Sequence, residues 1–154
     1  MRTVSSKTLI LGLGNEILGD DAFGLVVARS LLGTQAAGKA DIVPCAASGF
    51  RLLDYLDGYD RAILVDSYLN IERPLGEVLE FELEDAKGPL PSSGSHFFSF
   101  PQAVAAGRAM GMRLPTRLKA YCAVIHGYEF SDKGISEALK PAVEEIVKRV
   151  MRDL

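Results

Sequence analysis

Two carboxylate positions and one imidazole carry most of the chemistry open to this sequence. Asp66 directly follows the apolar run RAILV at residues 61–65, Asp20 and Asp21 stand together after a glycine-rich opening, and His96 is one of two histidines. Brought together, two carboxylates and an imidazole would form an open-sided site for zinc, nickel or ferrous iron. Three protein ligands leave positions for water or substrate, unlike a closed structural site. Each residue alone has a plainer reading. Asp66 would cap a turn, the Asp20–Asp21 pair would cap a helix and meet its dipole, and a lone histidine is usually structural. Adjacent residues do not point the same way, so one of Asp20 and Asp21 is expected to cap while the other faces a cleft.

The elements that must position these groups alternate along the chain. Residues 8–13 (TLILGL) read as a strand buried on both faces. A loop over 14–20 leads to helical periodicity over 21–32, through Phe23, Val26, Val27, Ser30 and Leu31, with Asp20 or Asp21 as its N-cap. A short strand is expected at 41–44, a short helix at 49–56 and a buried strand at 61–65 that ends at Asp66. EVLEFEL at 77–83 alternates apolar and charged residues, which suits an antiparallel or edge strand. Residues 84–95 are loop-like, and a helix from about Ser99 to Gly111 tolerates Pro101 only in its first turn. RLKAYCAVI at 117–125 is the last strand. A closing amphipathic helix at 135–152 turns Ile135, Leu139, Val143, Ile146, Val147 and Val150 inward, with Pro141 kinking or delaying it. The alternation implies a doubly wound α/β sandwich with one non-parallel strand, occupying residues 1–154 as one domain. Ligands in such sheets bind beyond the carboxyl ends of strands, which is where Gly12, Gly14, Asn15, Asp20, Asp21, Cys45 and Asp66 fall.

Other chemistries fit less well. GLGNEILGDD superficially suggests a dinucleotide fingerprint, but Ile17 stands where the third glycine belongs, Gly19 comes too late, and Pro44 replaces the acidic residue that would hold a ribose. Cys45 would be a nucleophile only with His96 or His126 as base, and a packed thiol is the simpler reading; Cys122 lies inside a strand and reads as core. Two cysteines make neither a disulfide framework nor a CxxC knuckle. With 17 basic and 20 acidic side chains the net charge is −3, which disfavours nucleic-acid binding. No run of about 18 apolar residues is present for a membrane span, and the polar N-terminus lacks the apolar segment of a signal peptide. A reducing, cytoplasmic setting is expected.

In ordered combination these residues resemble the [NiFe]-hydrogenase maturation protease family over nearly the whole chain. LILGLGNEILGDDAFG matches that family's strand–loop–helix signature, with Asn15 and Asp20–Asp21 in register. LVDSY matches its strand-three aspartate, His96 falls at its histidine, and Gly134–Ile135 followed by a helix with Pro141 resembles its ending. The resemblance implies a three-layer α/β/α sandwich with a twisted, mostly parallel five-stranded sheet. It implies an endopeptidase that removes the C-terminal extension of the hydrogenase large-subunit precursor after nickel insertion, with Asp21, Asp66 and His96 contacting metal and Asp20 a weaker candidate for general base. The nickel would be supplied by the substrate precursor, leaving a resting enzyme free of metal and monomeric. CAASG at 45–49 departs from the pattern: relatives often carry an acidic residue where Pro44 stands, and a glycine pair beyond it. The alternatives are a non-catalytic nickel-recognising chaperone of the same fold and a peptidyl-tRNA hydrolase. The latter also begins LGLGN but needs a proline-containing continuation and a histidine close behind it, absent between Glu16 and Leu32.

Overall fold

The computed structural model describes residues 5–82 and 100–154. The stretch 84–95, His96 and Ser99 lie outside the described residues. Strands β1 (Thr8–Leu13), β2 (Asp41–Cys45), β3 (Arg61–Leu69), β4 (Val78–Glu82) and β5 (Arg117–Ile125) form one sheet in the order β2-β1-β3-β5-β4. All neighbours are parallel except β4, which runs antiparallel along β5. The alternating segment around residue 80 is therefore an edge strand, as its one wet face requires.

Among the described residues four helices cover the sheet: α1 (Phe23–Leu32), α2 (Leu52–Leu56), α3 (Phe100–Ala109) and α4 (Lys140–Asp153). One face carries Ile10, Ile63, Val65 and Tyr121 against Phe23, Val27 and Leu31 of α1 and Ile146 and Val150 of α4. The other carries Leu9, Leu11, Leu64 and Leu118 against Leu52, Leu53 and Leu56 of α2 and Ala103 and Val104 of α3. Both faces of β1 and β3 are thus dry, which explains their unbroken apolar runs. Pro141 delays rather than kinks the last helix: a 3-10 turn at Glu137–Leu139 precedes α4, and the proline occupies its first turn, where no amide partner is lost. Ile146 is fully buried, so Ile146→Val is expected to cost about 1 kcal/mol, read as a lower urea midpoint with unchanged slope.

Glycine sets the distance between α1 and the sheet. A Cβ on Gly24 would lie 2.1 Å from the Leu13 carbonyl oxygen and 2.3 Å from that of Val65; one on Gly12 would lie 2.1 Å from the Gly24 carbonyl oxygen. Helix and strand backbones touch where β1 and β3 meet. The chain leaves β1 for β2 on one side and returns to β3 on the other, so the sheet reverses its winding between β1 and β3. A crevice opens at such a switch point, beyond the carboxyl ends of the strands.

Candidate functional site

Asp21 and Asp66 both lie at this crevice. The loop after β1 turns on Asn15, whose side chain accepts from the Ile17 amide at 3.1 Å and whose own amide donates to the Asp21 carbonyl at 3.3 Å. A 3-10 turn at Gly19–Ala22 then enters α1. Neither aspartate caps the helix: the residues at the cap positions of the 3-10 turn and of α1 are Leu18 and Ala22, without side-chain capping bonds. The tighter turn turns the two carboxylates apart. Asp20 accepts from the Ser136 amide at 2.7 Å and its hydroxyl at 3.1 Å, tying the first loop to the approach of α4. Asp21 points inward and is buried.

Strand β3 runs three residues beyond Asp66. The expected end at residue 65 is instead where β1 stops flanking it: Gly12 pairs with Val65, whereas Asp66–Leu69 pair only with β5. Past that point successive side chains still alternate between faces. Asp66 follows Leu64 toward α2 and α3, and Ser67 follows Val65 toward α1. Ser67 joins the two acids, its hydroxyl donating to Asp21 Oδ1 at 2.7 Å and its amide to Asp66 Oδ1 at 2.8 Å. Residue spacing does not single out Ser67; its one signal in the sequence is a second small polar residue continuing a buried strand. Ser67→Ala keeps the amide bond to Asp66 but removes the buried hydroxyl bond to Asp21 Oδ1, and is expected to lower stability by about 1–3 kcal/mol in denaturant unfolding.

Asp66 is fully buried, and its Oδ2 is a buried acceptor with no hydrogen-bond partner among the described residues. Burial holds its carboxyl well above the usual carboxylate range; the Ser67 amide opposes that rise and the charge of Asp21 adds to it. A buried oxygen without a donor, within electrostatic reach of a second carboxylate, is a cost to the fold that a cation would offset. Tyr128, three residues after β5, lies within electrostatic reach of the same pair. Its phenol is pushed up by partial burial and then by the charges of Asp21 and Asp66, which keeps its hydrogen in place.

The cysteines are packed thiols. Cys122 sits opposite Asp66 on β5, and burial pushes its thiol well up, with the Asp66 charge adding to the shift. Cys45 is buried and its sulfur accepts from the Ala47 amide at 3.3 Å. It ends β2 while His126 follows β5, three strand spacings or roughly 14 Å away. His126 instead places Nε2 2.7 Å from the Arg73 carbonyl. Among the described residues no three His, Cys, Asp or Glu side chains converge as a metal-binding group; the site shows Asp21 and Asp66, and His96 lies outside the described residues.

Sequence comparison finds no matching family model and no matching curated protein. Structure comparison does. The [NiFe] hydrogenase maturation protease HybD from Thermococcus kodakarensis superposes with a TM-score of 0.72 at 24% identity, over 95% of this chain and 97% of that one. The fold is that of the hydrogenase maturation proteases. The hydrogenase maturating endopeptidase HybD from E. coli gives a TM-score of 0.76 at 18% identity, over 96% of this chain and 91% of its own. A [NiFe] hydrogenase maturation protease HycI from Thermococcus kodakarensis KOD1 gives 0.72 at 18% identity, over 97% and 93%. The maturation-protease fold accounts for the five-stranded, mostly parallel sheet between helix layers that the motifs implied. Among the described residues no helix is long and apolar enough to cross a membrane.

Proposed function

We propose that this chain is an endopeptidase of the [NiFe]-hydrogenase maturation family, acting in the cytoplasm as one domain of residues 1–154. It removes the C-terminal extension of a nickel-loaded large-subunit precursor. The observation that carries this reading is the buried Asp66 Oδ2, unpartnered among the described residues and close to Asp21 at the β1/β3 switch point. Such an oxygen suits a divalent ion that arrives with its own thiolate ligands from the substrate. Nickel is then cargo, and the resting enzyme is metal-free and monomeric. His96 completes the contact set from the segment after β4.

Substrate nickel bound at Asp21, Asp66 and His96 draws the precursor's C-terminal region over the crevice and polarises the scissile carbonyl or a water. A carboxylate of the pair accepts the proton of the attacking water. Both of Asp20's oxygens are occupied by Ser136, which suits holding the loop more than moving protons.

The reading is tested with matched precursor preparations, nickel-loaded and nickel-free. Shortening of the loaded form alone supports a nickel-guided protease. Binding of the loaded form without shortening would make the protein a non-catalytic maturation chaperone, and equal cleavage of both forms would remove nickel from the mechanism.

A further inference from the structure

Beside the carboxylate pair, the chain leaves β5 as an exposed stretch from His126 to Phe130 that carries neither helix, turn nor bend. The stretch is held at both ends. Ile125 closes β5 at one side; at the other Ser131 bridges Leu18, its amide donating to the Ile17 carbonyl at 3.0 Å. Between them, among the described residues, the amides of Gly127, Tyr128, Glu129 and Phe130 find no acceptor. A row of unpaired backbone groups on a fixed, exposed segment is a template for an added strand. A cavity of about 420 Å³ adjoins it, with Leu75, Asp20 and Lys133 among its walls. Large apolar side chains stand exposed along the rim, Phe130 at 86% and Ile17 at 55%. At its inner end the cavity is walled by Gly19 and Asp20, the residues that lead directly into Asp21.

We infer that this groove binds the precursor's C-terminal peptide in extended form, pairing it with the 127–130 backbone and seating an apolar side chain in the cavity beside Leu75. The inference rests on the protease reading and adds to it the surface that holds the peptide in line with the carboxylates. Main-chain pairing supplies affinity that tolerates varied sequence, and the cavity supplies the preference for an apolar residue.

The test is steady-state cleavage of nickel-loaded large-subunit precursor by the full chain and by two variants. Glu129→Pro deletes one amide from the exposed row, and Phe130→Ser removes the apolar rim; neither side chain is packed in the core. Each is expected to raise KM by about tenfold with kcat nearly retained and the unfolding midpoint unchanged. Met110→Ser, exposed at the end of α3, serves as the control with wild-type constants. Wild-type KM in both groove variants, or a fall in kcat alone, would overturn the groove while leaving the protease standing. Failure of the wild type to cut the precursor would overturn both.

Discussion

Asp66→Asn is expected to abolish precursor processing, lowering the rate by about 10²–10⁴-fold, while making the protein more stable. The two effects share one cause. Asp66 is fully buried with one oxygen unpartnered among the described residues, and burial and Asp21 both oppose its ionisation. Asparagine keeps the acceptor for the Ser67 amide and replaces the orphaned oxygen with a donor that can face Asp21. It also removes the negative charge on which both metal contact and proton acceptance depend. The folded carboxyl titrates above its unfolded value near 4, so between those limits the folded state holds a proton that the unfolded chain has released. The wild type's stability from this group is therefore full below about pH 4 and declines as pH rises toward the folded pKa. The Asn variant lacks that decline, so its advantage should grow between pH 4 and pH 8 to about 1–3 kcal/mol. Thermal unfolding at the two pH values reads this directly. A variant less stable than wild type at pH 8 would contradict the burial argument even if activity were lost.

Gly24→Ala is expected to be the most damaging single-methyl change in the chain, costing at least about 3 kcal/mol. The new Cβ would lie 2.1 Å from the Leu13 carbonyl oxygen and 2.6 Å from its amide nitrogen, besides 2.3 Å from the Val65 oxygen. All three are backbone atoms of the two central strands, which have no rotamer by which to yield. Relief requires α1 to move off the sheet, taking with it Asp21, three residues upstream. For a chain of this size the melting temperature should fall by roughly 6–12 °C, with processing impaired even below the transition. Gly33→Ala supplies the control, since its Cβ would meet only the Ser30 carbonyl oxygen at an ordinary 3.5 Å; a shift within about 0.5 kcal/mol is expected there. Equal effects at the two glycines would show that propensity, not the backbone contact, governs the response.

These residues also mark what was legible in the sequence. The apolar run of β1 carries its own boundaries, because a strand dry on both faces must be apolar throughout, and β5 spans Arg117–Ile125 as read, dry from Ala120 onward. The sequence pattern ends β3 at residue 65, because an acidic side chain after RAILV is expected to leave a buried strand; the strand runs on through Asp66 and Ser67. They remain in the strand because β5 continues to pair with them after β1 has ended, and that pairing is a tertiary fact. The capping role expected of Asp20 or Asp21 rested on a simple helix start; the 3-10 turn instead sends Asp20 to Ser136, 116 residues away. Composition placed Asp21 and Asp66 at strand ends, and topology alone put both strand ends at the switch point. The bridging hydroxyl of Ser67 has no signature in spacing, since it acts through a contact with Asp21, 46 residues away.

The central claim is that Asp21 and Asp66 form a processing site for a nickel-bearing protein substrate. Its most direct test is the intact mass of nickel-loaded [NiFe]-hydrogenase large-subunit precursor after incubation with the wild-type chain and with Asp66→Asn. The account predicts loss of a discrete C-terminal peptide with the wild type and an unchanged precursor mass with the variant. A precursor of unchanged mass in both incubations, or one shortened equally in both, would contradict it.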